Sequence, residues 1–136
     1  MSNDNKAIVR RYYEEVLNRG DLALLERIAR EDHVEHDPLP GQGKGLTGFH
    51  DRVRMLREAL QPQFTIEQIV AEGDTVVVRW TNRGKHVAPF VGIPATNKSF
   101  TIAGIDIHTL RDGKLAEHHH VVDQLSMMQQ LGLIPG

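Results

Sequence analysis

The sequence predicts an α+β domain, with three helices packed on a curved antiparallel sheet of about four main strands and a short helix at the C-terminus. Three observations carry this. Apolar residues recur with helical period from Ile8 to Leu60, the pattern changes at Phe64 to alternating β-branched runs, and Asp112-Gly113 supplies a hairpin turn between the last two runs. A curved sheet wrapped on a long helix leaves a cavity between the layers.

The first helix follows Ser2-Asn3-Asp4, all good N-cap types. It carries Ile8, Val9, Tyr12, Tyr13, Val16 and Leu17 on its buried side until Gly20 stops it. Asp21 caps a second helix with Leu22, Leu25, Ile28 and Ala29 inward, and the two pack as a helical hairpin. Glu31 to Asp37 lacks helical period and precedes Pro38, which favours an extended edge segment. Pro38 to Gly45 is a loop whose glycines lack the Lys-Ser/Thr pair of a phosphate loop. Thr47 is the expected cap of a third helix, with Phe49, Val53, Leu56 and Leu60 inward and Pro62 beyond its end.

Strands are expected at Phe64 to Ala71, Thr75 to His86, Ser99 to Leu110 and Leu115 to Val122, arranged as a meander. The connection Val87 to Lys98 is apolar, which suits a flap over a pocket better than a solvated loop. Gln124 to Leu131 is a short helix with Leu125, Met128 and Leu131 on one side, ended by Gly132.

A chain of 136 residues is the size of one domain, so residues 1–136 are read as a single unit. The net charge of −2 arises from interspersed acids and bases, which disfavours nucleic acid and anionic membranes as partners. No cysteine occurs, so thiolate nucleophiles, thiolate metal sites and disulfides are excluded. The N-terminal pattern is polar and amphipathic and no apolar run reaches a membrane span of roughly 20 residues, from which a soluble, cytoplasmic protein is expected.

A type I′ turn at Asp112-Gly113 pairs Arg111 with Lys114 and thereby fixes a register. Asp106 then lies opposite His119, His108 opposite Glu117 and Ile102 opposite Asp123, all on one face. His118, His120 and Val122 fall on the other, opposite Ile107, Ile105 and Ala103. A one-residue bulge exchanges the two sets. In this register Asp106 and His119 form an acid–imidazole pair suited to proton transfer, with His108 one step along the row. The plain alternative is a polar cross-strand pair that only satisfies itself.

Asp123 stands where a strand gives way to a helix, among Val121, Val122, Leu125 and the apolar flap with Phe90. If desolvated, it has the raised pKa that a general acid/base requires; otherwise it is an N-cap for Ser126. His118 and His120 share a strand face but lack a third ligand on it, so no metal site is assigned. Trp80 is the better cavity wall of the alternating Arg79-Trp80 pair by apolar area.

Arg79-Trp80, Gly92-Ile93-Pro94-Ala95-Thr96, Gly113-Lys114 and Glu117 to Gly132, with its D-x-L-x-x-x-Q-Q-L-G ending, resemble the SnoaL-like polyketide cyclase family over nearly the whole chain. The resemblance implies the cone-shaped α+β barrel of the nuclear transport factor 2-like superfamily, a hydrophobic pocket, no metal or organic cofactor, and an oligomer, here a homodimer or homotetramer. It places general acid/base chemistry for an intramolecular aldol closure on Asp123, to which the hairpin register adds His119 and Asp106 as supporting residues. The substrate is then a small hydrophobic carbonyl compound contacted by His36, Trp80, His108, Phe90 and Val121. His119 departs from the tryptophan common at its position in the family. Two other functions fit the same features: a ketosteroid-isomerase-like proton transfer using Asp106, and a binding module for an apolar ligand without turnover.

Overall fold

The structure is a computed structural model that describes residues 2–136. Helix α1 (Ser2–Arg11) runs directly into a π-helical stretch, Tyr12–Leu17, and α2 (Leu22–Ile28) turns back against it. The Asp21 side chain accepts the Leu24 amide at 2.9 Å, which is the expected cap. Strand β1 (Ala29–Glu35) follows, then α3 (Gly45–Leu60), the meander β2 (Gln63–Glu72), β3 (Thr75–Lys85), β4 (Ser99–Arg111), β5 (Lys114–Val122), and α4 (Gln124–Gln130). Helix α3 starts earlier than its sequence suggests. Its N-cap is Lys44, without a side-chain cap, and Thr47 lies within the first turn.

The sheet has five strands in the order β1-β5-β4-β3-β2. The expected four are the antiparallel meander, and the edge segment joins as a fifth, parallel to β5, with Val34 beside Glu117 and Glu35 beside His118. The helices cover one sheet face, and the core between them holds Val9, Tyr12, Tyr13, Phe49, Val53, Val76, Val78, Trp80 and Leu110. Trp80 faces inward and lies directly over Gly104, where an added Cβ would come within 2.2 Å of the indole, so only glycine permits this packing. No helix among the described residues is long and apolar enough to cross a membrane.

The Asp112-Gly113 turn forms as the sequence requires, with φ of 52° and 73° and Arg111 paired to Lys114. One step later the register changes. Leu110 pairs with Leu115, but Thr109 pairs with Glu117, leaving Ala116 as the extra residue of a β-bulge. Leu115 and Ala116 are consequently both buried although adjacent. Beyond the bulge the faces are exchanged: His108 pairs with His118, Ile107 with His119 and Asp106 with His120. The expected pairs Asp106–His119 and His108–Glu117 therefore do not form.

Candidate functional site

The exchange brings His118 and His120 to the covered side of the sheet with Asp106 and His108. Parallel pairing of the edge strand then adds Glu35. Tyr13 comes from the opposite layer, on the π-helical stretch. Its hydroxyl donates to Asp106 Oδ2 and lies 2.8 Å from His108 Nε2. Because that hydroxyl hydrogen is committed to the carboxylate, His108 Nε2–H is the donor to the tyrosine oxygen, and His108 Nδ1 is left bare and enclosed.

His118 stands between two carboxylates. Its Nδ1 is 2.5 Å from Glu35 Oε1, and its Nε2 approaches Asp106 Oδ1 at 3.2 Å, close enough for an ion contact but without hydrogen-bond alignment. The rings of His108 and His118 stack at 4.8 Å, and those of His118 and His120 at 4.9 Å. Arg52, itself buried, reaches within 3.9 Å of Glu35.

Burial opposes every charge in this cluster, and the sign of each shift shows which groups overcome it. His118 is pushed up to about 9 against its burial, because Asp106 and Glu35 both favour the imidazolium. Glu35 is held down at about 2 despite burial by its hydrogen bond to His118, the His118 charge and Arg52. Burial likewise opposes ionisation of Asp106, yet His118, His108 and Tyr13 keep its carboxyl below the usual range. His108 goes the other way: burial and the neighbouring His118 charge push it down to about 3. His33 is lowered to about 4 by the same two causes, and burial raises the phenols of Tyr12 and Tyr13. The result is one imidazolium flanked by two carboxylates, beside neutral imidazoles.

A cavity of about 550 Å³ opens against this cluster through His33 and Glu35, with Val34, Pro38, Gln42 and Lys44 among its other walls. A smaller cavity of about 170 Å³ lies under the flap, between Phe90, Val91 and Ile93 on one side and Met127, Met128 and Leu131 of the C-terminal end on the other. Phe90 thus lines a cavity, as expected of the flap.

Several expected site residues lie elsewhere. Asp123 is exposed and accepts the Ser126 amide at 3.1 Å as the N-cap of α4. The dry environment expected for it is absent, because the chain has already left the covered layer after Val122. His119, with 55% of its side chain exposed, and Val121, 76% exposed, point to the outer face as a consequence of the bulge. His36 stacks on His119 at 4.1 Å and bonds to Glu117 at 2.8 Å on that same outer side, not at the cavity. Asp106, His108 and Trp80 are inward, as expected.

Sequence reasoning does not assign Glu35, His33 or Tyr13 as site residues: it prefers His36 to His33 and reads Tyr13 as core, with one of the two phenols able to reach the cavity. The signal for Glu35 was its place in the expected edge segment, but nothing local specified which strand it would join.

The missing third metal ligand is now present. Glu35, His118 and His120 bring ligand atoms within 4.8 Å of one another, as do Asp106, His108 and His118. His118 belongs to both sets and is already engaged by both carboxylates.

A covered polar cluster inside an α+β sheet, beside an apolar cavity, has the make-up of a candidate small-molecule site of the acid/base kind. Comparison with known proteins identifies the family. The model of the SnoaL-like polyketide cyclase family matches residues 7–131, and the chain belongs to that family. It is 33% identical over 113 residues to the aklanonic acid methyl ester cyclase DauD of Streptomyces sp. (strain C5), covering 80% of this chain and 67% of that protein. The aklanonic acid methyl ester cyclase DnrD of Streptomyces peucetius is 34% identical over 103 residues, 73% of this chain and 68% of DnrD. Among solved structures, TsrD from Streptomyces laurentii superposes with a TM-score of 0.88 at 27% identity, covering 97% of each chain.

Proposed function

We propose that this chain is a cofactor-independent cyclase that closes a ring in a polyketide-derived carbonyl compound by intramolecular aldol chemistry, with its protons handled by the inward cluster and not by Asp123. The observation that supports this is Glu35 on the wall of the larger cavity, backed by a His118 imidazolium that Asp106 holds in place. Glu35 takes the proton as the substrate C–H bond breaks, and the electron pair moves to the carbonyl oxygen as an enolate. The enolate carbon attacks a second carbonyl carbon, forming the C–C bond, and the new alkoxide recovers the proton from Glu35. The sum is an isomerisation, so no oxidant, reductant or organic cofactor is required. A carboxylate held near 2 is a weak base, and the adjacent cation compensates by stabilising the enolate as it forms.

The test is turnover of aklanonic acid methyl ester, the substrate in the names of DauD and DnrD, and exchange of substrate C–H hydrogen in deuterated water. Glu35→Gln should lose both by about 10²- to 10⁴-fold. Full activity in that variant would remove Glu35 from the mechanism. Metal analysis of tag-free active protein checks cofactor independence: stoichiometric zinc or iron that activity requires would overturn it.

The buried Tyr13–Asp106–His108 trio also supports a second reading, an isomerase that returns the enolate proton to another carbon. Product analysis separates the two, since only the cyclase makes a new ring. As partners we propose a second copy or more of this chain, joined through the outer sheet face, where Ile105, Ile107, Val121 and Val70 are exposed together with His119.

A further inference from the structure

The flap cavity contains one buried polar group that the cluster mechanism does not use. His86 directly follows β3 at the start of the flap; it is 1% exposed and is among the residues lining the cavity of about 170 Å³. The Thr96 amide donates to His86 Nδ1 at 3.3 Å, the Thr96 hydroxyl lies 3.2 Å from the same nitrogen, and the Lys98 amide donates to that hydroxyl oxygen at 3.3 Å. Donors therefore converge on Nδ1, so the hydrogen of the ring sits on Nε2. That Nε2–H is enclosed and has no partner among the described residues.

A buried donor without an acceptor is rare, because it has given up water for nothing. Apart from Gln124, which is exposed, the walls around it are apolar and adaptable: Phe90, Ile93, Met127, Met128 and Leu131 among them, with the methionines able to fit groups of several shapes. The volume is close to that of cavities of roughly 150 Å³ that admit benzene. At the flap tip, Phe90 and Ile93 exchange backbone hydrogen bonds of 2.9 Å around Val91 and Gly92, whose φ values are 44° and 81°. A β-branched residue at positive φ is strained, and such strain is held where the surrounding structure has a use for the geometry.

We propose that the flap cavity is a second binding subsite, which takes a ring-sized apolar group bearing one carbonyl oxygen and binds that oxygen with His86 Nε2–H. The subsite needs no proton transfer, so it stands whether or not Glu35 is a base. Only the identity of its natural guest, one end of a polyketide-derived carbonyl compound, rests on the proposed cyclase reading.

The experiment uses two probes of the same shape, cyclohexanone and methylenecyclohexane, which differ by one acceptor oxygen. They are titrated into the full chain labelled with ¹³C at its methionine methyls and ¹⁵N at its histidines. Both should shift Met127 and Met128. Cyclohexanone should bind about tenfold more tightly and move the His86 Hε2 proton, which methylenecyclohexane should leave in place. His86→Phe keeps the ring and removes the donor, and should bind both probes equally. Equal binding of the two probes by the wild type, a ketone preference that survives in His86→Phe, or no shift at either methionine would each overturn the subsite. The wild-type Hε2 signal decides the matter even if the variant fails to fold. With a turned-over substrate, His86→Phe should raise KM and leave kcat unchanged. Loss of kcat in Glu35→Gln with the probe result intact, or the reverse, tells the two proposals apart.

Discussion

His118 and His119 are adjacent in sequence and opposite in physics. The first is fully covered, held as an imidazolium at about 9 between Glu35 and Asp106; the second lies on the outer face, stacked on His36 and more than half exposed. The same contrast separates Asp106 from Asp123. Asp106 is covered and contacted by three cluster side chains, whereas Asp123 caps a helix in solvent. A residue type suited to catalysis is therefore not enough: which side of the sheet it reaches, and what it meets there, decides its chemistry.

The largest expected effect tests the two aspartates against each other. Asp106→Asn keeps the shape but removes the charge that holds His118, and should lower ring closure by about 10²- to 10⁴-fold. Asp123→Asn retains a good cap and should leave turnover within about twofold. Steady-state rates in the turnover assay of the proposed function, with circular dichroism to confirm folding, check both. A severe loss in Asp123→Asn alone would return the acid/base role to the helix cap.

Next comes the stability contrast between the two histidines. His118→Leu leaves Glu35 and Asp106 buried without their cation and should destabilise the fold by about 3–5 kcal/mol in urea unfolding. His119→Leu, on the exposed face, should stay within about 0.5 kcal/mol. Comparable losses in the two would mean that the buried ion contacts contribute nothing special.

The cluster should also write itself into the pH profile of stability. His118 takes its proton near 9 when folded and near 6.5 when unfolded, so its contribution is complete below 6.5 and is lost as pH rises through 9. Folded His33 and His108 accept protons only near 4 and 3, so stability falls as pH drops below 6.5 and the unfolded chain protonates first. Glu35, at about 2 against 4.5, adds a further loss between those values. Stability should peak near pH 6.5, the unperturbed histidine value. His118→Asn should erase the alkaline limb and also shift the acid one, because the His118 charge contributes to the lowering of His33, His108 and Glu35. An alkaline limb unchanged in that variant would assign it to another group.

These contrasts also show what the sequence could convey. Helix and strand positions were legible because burial imposes the periods directly: Tyr12, Tyr13 and Val16 on the first helix, and Val76, Val78 and Trp80 on β3. The Asp112-Gly113 turn was legible because it needs positive φ. The bulge at Ala116 was not, since alanine suits either face and only the packing of Leu115 against the helices decides where the extra residue goes. That single residue moved His118 and His120 inward and His119 and Val121 outward, and it carried most of the site with it. Glu35 was equally hidden, because a parallel pair between an early edge strand and the last strand leaves no local mark.

The exchanged outer face is open to a milder test. Ile107→Lys adds a charge among Ile105, Val121 and His119 without entering the core, so it should dissociate the proposed oligomer while preserving the fold, as read by light scattering and circular dichroism. A wild-type protein that is already monomeric at the same concentration would remove the outer face as an interface and leave its apolar residues without a partner.

The smallest effect belongs to the flap. Val91 occupies the first central position of a turn with φ of 44°, where a branched side chain is poorly tolerated and glycine is not. Val91→Gly should relieve local strain of about 1 kcal/mol, while the added freedom of glycine in the unfolded chain offsets part of the gain. The net change in stability is therefore small. The binding readout is more telling. If the strained tip holds Phe90 and Ile93 over the small cavity, relaxing it should weaken cyclohexanone binding while leaving the His118 cluster and its alkaline stability limb untouched. Equal affinity for the ketone in Val91→Gly and wild type would mean that the walls from α4 suffice and that the tip geometry serves only the turn.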